Sequence, residues 1–393
     1  MDSIRNLFNI GNGPSSSHTM APQKAAEIFL SRHLDADSFL VELFGSLALT
    51  GKGHLTDYAI KKTLGENRTK INFNYEQIYT YHTNAMKFKA FKDDVQVEKW
   101  LVFSVGGGAL KELDEPRDSC QEAIYPHRTM TEILEYCANE KLTLVEYINK
   151  YDKNVKDYLE IVYDAMEKTI QKGLNTTGTL PGRLNVQRKA TTFHTLYLQE
   201  KTLLKLLYAY ALATAEENAS GGIVVTAPTC GSSGVLPAVL FASRDYNNIS
   251  KDKIIEGLMI AGLFGNLIKF NASISGAEVG CQGEIGAACS MAAAVAAFFL
   301  GGSNEQIEYA AEIALEHHLG LTCDPVDGVV QIPCIERNAI ASAKAFDAAN
   351  YALMTSGKHF ISFDNVVKVM KETGHDLQTK YKETSTGGLA TIE

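Results

Sequence analysis

Gly280-Cys281-Gln282-Gly283-Glu284 leads straight into an Ala-rich run, Ile285 to Leu300, in which Gly286 and Ser290 are the only interruptions of note. The glycines mark a turn, and the run behind them has the all-round apolar character of a helix buried on every side. As a helix it rises about 24 Å, short of the roughly 30 Å hydrocarbon core of a bilayer, which favours a core helix over a membrane span. An amphipathic run, Asn304 to Leu319, brings the chain back to Thr322-Cys323-Asp324-Pro325-Val326-Asp327-Gly328 and then to Ile332-Pro333-Cys334-Ile335-Glu336-Arg337-Asn338. Cys281, Cys323 and Cys334 therefore all lie in or beside turns made by Gly or Pro, and the out-and-back course lets three sulfurs converge. Soft thiolates so placed suit an iron–sulfur cluster or zinc, and three ligands in place of four leave one metal position open. The spacing does not decide the matter: Cys323 follows Cys281 by 42 positions and Cys334 follows Cys323 by 11, neither being a CxxC pair. Three buried core thiols remain the alternative.

Helical patterns dominate outward from this stretch. Val155, Leu159, Val162, Met166 and Ile170 fall on one helix face that ends at Gly173. Further helices are expected over Thr202 to Asn218, Lys251 to Lys269, Asn338 to Thr355 and Asn365 to Thr373, with Ser303 and Gln306 forming a capping box. Residues 151–393 thus read as an all-α domain. Its connections at Thr226 to Gly234, Asn271 to Glu278 and Asn175 to Lys189 are small and polar, as loops lining a cleft are.

The first 150 residues read differently. Phe39 to Leu49, Lys70 to Tyr75, Met86 to Phe91 and Val95 to Val105 carry strand signals, with helices expected at Pro22 to Leu34 and Leu55 to Leu64. Gly13-Pro14-Ser15-Ser16-Ser17-His18-Thr19 stands before the first helix, an arrangement that suits a carboxylate or phosphate and equally a plain N-cap. Thr50-Gly51-Lys52-Gly53-His54 lacks both GxGxxG and GxxxxGK[ST], so it is not read as a nucleotide site; His54 alone reads as easily as a surface histidine. The fold class is α+β: an N-terminal α/β domain (1–150) and a C-terminal all-α domain (151–393).

Hydrophobic content of 45% and charged content of 21% over 393 residues describe a globular protein. A net charge of −9 without a Lys/Arg-rich run disfavours nucleic acid and anionic membranes as partners. Seven cysteines, an odd number without framework spacing, together with no N-terminal signal segment, point to a cytoplasmic setting.

Several runs resemble the iron–sulfur-dependent L-serine dehydratase (L-serine ammonia-lyase) family: Gly13 to Thr19, Gly45-Ser46-Leu47-Ala48-Leu49-Thr50-Gly51-Lys52-Gly53-His54, Asn271 to Gln282, Leu321 to Pro325, Pro333 to Asn338, and Gly387-Gly388-Leu389. The resemblance covers nearly the whole chain in order. It implies that Cys281, Cys323 and Cys334 hold three irons of a [4Fe-4S] cluster. It implies further that the N-terminal domain is similar to the allosteric substrate-binding domain of some phosphoglycerate dehydrogenases, and that His18 and His54 lie near L-serine. On this reading His18 or His54 is the base, and Ser15, Ser16, Ser17 and Thr19 bind the substrate carboxylate.

Three features depart from the family pattern: Cys230, Asp327, and a tail ending Leu389-Ala390-Thr391-Ile392-Glu393 without the cysteine that some members carry there. Cys120, Cys137 and Cys289 read as structural. Rival readings are a pyridoxal-phosphate dehydratase, for which Lys52 and Lys189 lack a setting, a zinc hydrolase, for which His317 and His318 are wrongly spaced, and an amino-acid-sensing regulator without catalysis. A homodimer is the default for such an enzyme.

Overall fold

The computed structural model describes residues 1–113 and 123–392. After a short strand β1 (Ile10–Asn12), the N-terminal part runs α1 (Ala21–Arg32), β2 (Ser38–Phe44), α2 (Ser46–Thr50), α3 (Thr56–Leu64), β3 (Thr69–Asn74), β4 (Ala85–Lys92), β5 (Val95–Ser104) and β6 (Leu110–Glu112). The strands form one sheet in the order β3-β2-β4-β5-β6, parallel only between β2 and β3. Period-two alternation builds it. Phe39, Val41 and Leu43 of β2 and Met86, Phe88 and Ala90 of β4 point into one core with Phe29 of α1, whereas Lys89 on the other face pairs with Glu42 at 2.8 Å. The expected first strand, Phe39 to Leu49, ends early at Phe44. Gly45 takes φ 55°, and a Cβ there would lie 2.2 Å from the Thr83 carbonyl oxygen, so the chain turns and α2 begins.

The helical part comprises α4 (Met130–Glu140), α5 (Leu144–Tyr151), α6 (Val155–Leu174), α7 (Ala190–Gln199), α8 (Leu203–Ala219), strand β7 (Ile223–Val225), α9 (Val235–Asn247), α10 (Lys251–Asn271), α11 (Gly276–Val279), α12 (Ile285–Phe299), α13 (Asn304–Glu316), α14 (Cys334–Leu353) and α15 (Phe363–Asp376). The architecture is α+β, as expected. Alanines on α12 are wholly buried and let α9, α10, α13 and α14 pack against it. Among the described residues α10 alone is a single helix long and apolar enough to cross a bilayer, and 78% of its apolar window is buried inside the fold. Packing groups Met1, Ile4, Leu7 and Phe8, and residues of α4 and α5, with the helical core, although all lie before residue 150. Asp152 fixes that N-terminus by accepting from Ile4 N at 3.0 Å and from Ser3 Oγ at 2.8 Å.

Helices α4 and α5 fall in Glu112 to Tyr151, which reads in sequence as a connecting region with short helices, notably Thr131 to Asn139, whereas α7 and α9 lie outside the sequence expectations. Pro237 near the start of α9 masks that helix in sequence, yet the first helical turn needs no N–H from it. Its buried residues run unbroken from Val235 to Ser243, so no 3.6-residue stripe exists to be read. Helix α14 begins at Cys334 where the pattern predicts Asn338.

Close crossings yield a stability prediction. A Cβ on Gly173 of α6 would sit 2.2 Å from the Ala213 carbonyl oxygen on α8. Overpacking of this kind costs about 3 kcal/mol, while alanine's better helix propensity returns only about 1. Gly173→Ala is expected to lower the urea midpoint by the equivalent of about 2 kcal/mol at unchanged slope; an unshifted midpoint contradicts this packing.

Candidate active site

The antiparallel ribbon of β1 and β7 pairs Ile10 with Val225 and delivers the Ser-rich stretch to the helical body. Asn218 Nδ2 donates to the Pro14 carbonyl at 2.9 Å, and Ser16–Met20 then form one wide π turn, a geometry that recurs at functional sites. Ser15 caps it by accepting from His18 N at 3.1 Å. Thr19 Oγ1 donates to the His54 carbonyl at 2.7 Å, and Thr56 Oγ1 donates to that of His18, so the two histidine-bearing turns fasten each other. Their rings lie 4.6 Å apart.

The histidines differ in what they touch. His18 Nε2 lies 3.0 Å from Ser46 Oγ, which itself donates its single proton to the Glu383 carbonyl at 2.6 Å. Ser46 must therefore accept from His18, which places the His18 proton on Nε2 and leaves Nδ1 to accept from Ser17 Oγ at 2.8 Å. Both nitrogens of His18 are engaged. His54, 1% exposed, has neither nitrogen hydrogen-bonded among the described residues. Burial holds its pKa down at about 4, and burial followed by repulsion from His54 lowers that of His18, so both rings rest neutral.

Cys281, Cys323 and Cys334 line the same tight cavity as Ser15 and His54, of about 20 Å³. Cys281 stands in a tight turn whose N–H donates to the Leu321 carbonyl at 2.9 Å. Cys334 opens α14. The Cys281 and Cys323 thiols hydrogen-bond to each other, which lowers the pKa of Cys281, with the Arg337 guanidinium helping, and raises that of Cys323; burial raises Cys334. Glu284 Oε2 lies 3.7 Å from Cys323 Sγ, and Arg337, three residues beyond Cys334 on the same helix face, donates to the Thr322 carbonyl at 2.7 Å.

The tail completes the cavity. Cys323 N donates to the Tyr381 carbonyl and Glu383 N to that of Cys323, each at 2.8 Å, so the tail runs alongside the Cys323 turn. Glu383 Oε1 comes within 3.3 Å of His18 Nδ1. Burial first, then the charges of Glu284 and Cys281, hold its carboxyl well above the usual value and hence protonated. One ligand atom each from His18, His54 and Glu383 falls within 4.8 Å of the others, a spacing that also admits a single metal ion.

The expected site residues thus meet around one cavity, though not in equal roles. Ser15 lines it, Ser16 is buried in the same turn, and the hydroxyls of Ser17 and Thr19 are engaged with His18 and His54. Glu284, Arg337, Ser46 and Glu383 join them unforeseen. Ser46 and Arg337 stand inside the motif runs and Glu284 two residues past one; Glu383 carries no local signal, because a polar tail residue looks like solvent-facing chain. Cys230 packs against Met20, with 3.7 Å between the sulfurs, and Cys289 Sγ donates to the Ala341 carbonyl at 3.2 Å. Cys137 is buried, and Cys120 lies outside the described residues. Asp327 takes φ 59° and pairs with Arg183. Lys52 lies over Phe73 and Lys189 beside Glu336, neither of them lining this cavity.

Would three thiols here suit a cluster? The donor set is soft and largely removed from water, Cys334 being half-buried, a guanidinium offsets thiolate charge, and a bare imidazole faces the same space. These residues fit the group.

Comparison with known proteins gives the family. Residues 109–390 match the serine dehydratase alpha chain family and residues 3–69 the serine dehydratase beta chain family. L-serine dehydratase 1 of Escherichia coli strain K12 is 40% identical over 450 residues, covering 99% of each chain. L-serine dehydratase of Haemophilus influenzae is 40% identical, covering 99% of each. That of Streptomyces coelicolor is 39% identical, covering 99% of this chain and 98% of the relative. These alignments run longer than the 393 residues present here, so the relatives carry stretches this chain lacks. With both the beta-chain and the alpha-chain parts in one polypeptide, the chain belongs to the serine dehydratase family.

Proposed function

We propose that this chain is an L-serine ammonia-lyase that converts L-serine to pyruvate and ammonia, with Cys281, Cys323 and Cys334 holding a [4Fe-4S] cluster. The observation that carries the reading is one cavity lined by three thiols, two buried and one half-buried, and by a histidine with both nitrogens bare. A cluster held by three thiolates supplies one open iron, a Lewis acid that makes the β-hydroxyl a workable leaving group.

The remaining chemistry falls to side chains. His54, kept neutral by burial, takes the Cα proton as that C–H bond breaks and the Cα=Cβ bond forms. Glu383, kept protonated, hands its proton to the oxygen leaving Cβ, so that water departs. Neutral histidine and neutral carboxyl side by side are an acid–base pair whose environments invert their usual charges. The imidazolium formed then returns its proton to Glu383. His18, tied to Ser46 and Ser17, positions the pair, and the Ser15 turn receives the carboxylate. Aminoacrylate released from the site tautomerises to the imine, and water adds to expel ammonia. Buried thiols suit a reducing cytoplasm, and the chain is read as a homodimer acting on free L-serine.

Glu383→Gln tests the acid. Glutamine keeps the shape but has no proton to give, so pyruvate formation is expected to fall about 10²-fold while Cα–H exchange with deuterated water persists. Wild-type turnover by the variant would remove Glu383 from the chemistry.

A second reading has one specific observation behind it, the His18, His54 and Glu383 group. A single metal ion there would act without sulfide, and metal analysis separates the two.

A further inference from the structure

A second cavity, of about 620 Å³, lies away from the cysteines between α13, α14 and the loop before α15. Its chemistry is unlike that of the active site. Glu312 faces it from α13 with only 3% of its surface exposed, and among the described residues no Lys, Arg or His pairs with it. Glu316 stands one turn on along α13 on the same cavity wall, half-buried, with one carboxylate oxygen 3.3 Å from His317 Nδ1. A buried carboxyl with a second carboxyl nearby and no basic partner of its own calls for a proton or a cation. The wall beside them is aromatic: Tyr309 stacks on His359 at 4.1 Å and 3°, and Tyr351 meets Tyr309 edge-on at 6.2 Å. Phe360, fully exposed, stands at the mouth.

We propose that this cavity is a binding site for an organic ammonium ion, with Glu312 and Glu316 as counter-ions and the Tyr309 and Phe360 rings around its apolar body. An aromatic wall attracts a cation through the ring faces, and a buried carboxyl without a basic partner supplies the charge. Glu308 is not available for this, since it accepts from Phe363 N at 2.7 Å and pairs with His359 Nε2 at 3.1 Å.

The charges facing Glu312 set the pH dependence. On α13 these are Glu308 and Glu316, followed by His317 and His318. Across the cavity α14 brings Lys344 and Asp347 at the exposed rim, and the loop brings His359. Burial first, then Glu316 and Glu308, push Glu312 up to about 8, so at pH 7 the empty site holds a proton that a bound cation expels. Affinity is therefore expected to rise up to about tenfold per pH unit from pH 6 to 8 and then level off.

The test is calorimetric titration of the full chain with benzylammonium chloride, and with benzyl alcohol as its neutral counterpart. One site per chain, proton release at pH 7 seen as buffer-dependent heat, and no binding of the alcohol are expected. Glu312→Gln is expected to weaken the ammonium ion at least about tenfold, and Phe360→Ala severalfold, with L-serine turnover unchanged in both. Equal binding of the alcohol, undiminished binding by Glu312→Gln, or displacement of the ammonium ion by millimolar Mg²⁺ would each overturn the proposal. So would a doubling of mass at higher protein concentration that abolishes binding, since that assigns the face to a second copy. Because binding is read without turnover, its failure is distinct from failure of the lyase reading.

Discussion

Serine in place of Cys281, Cys323 or Cys334 is expected to lower turnover of L-serine by at least ~10³-fold and to remove the broad visible absorbance near 400 nm expected of a cluster. Serine preserves size, so folding is retained, but its hard oxygen is a poor substitute for a soft thiolate. Any single loss should suffice, because the proposed open iron exists only while the other three are held. Cys289→Ser and Cys137→Ser serve as controls, since these thiols pack in the helical core and are expected to leave turnover and absorbance unchanged. A serine variant at Cys281 that keeps both absorbance and activity would mean that the three thiols are core residues only.

The second large effect is expected at His54. Losing a positioned base costs about 10²–10⁴-fold. His54→Asn should therefore abolish both pyruvate formation and exchange of the Cα proton with deuterated water, with visible absorbance intact. His18 offers the contrast. With Nε2 donating to Ser46 and Nδ1 accepting from Ser17, it has no nitrogen free for substrate, so His18→Asn should weaken the site while exchange continues. If instead His54→Asn exchanges at the wild-type rate and His18→Asn does not, the roles are reversed.

Periodicity carried most of the helical part into view. The Val155 to Ile170 stripe, the Ser303 capping box and the Ala-rich run all lie in helices of the structure. Strand β4 was equally legible, because one face is buried and the other carries lysines, and β2 was legible as far as Phe44, with Glu42 on its outer face. What escaped did so for physical reasons. Helix α9 is buried over its first nine residues and has no stripe, and Gly45 ended β2 through a backbone conformation that apolar Leu47 and Leu49 conceal. At the site, turns made by Gly and Pro announced Cys281, Cys323 and Cys334. Glu383 could not be read, since its place is set by backbone pairing of the tail with Cys323, a contact across 60 residues with no sequence signature. The tautomer of His18 follows only from the Ser46 proton, which a sequence does not show.

The most direct test is the iron and acid-labile sulfide content of the chain purified without oxygen, measured on the same sample as its L-serine turnover. The expected result is about four irons and four sulfides per active chain, both lost together with activity on exposure to air. Full turnover from a chain holding zinc, a single metal ion without sulfide, or no metal would contradict it.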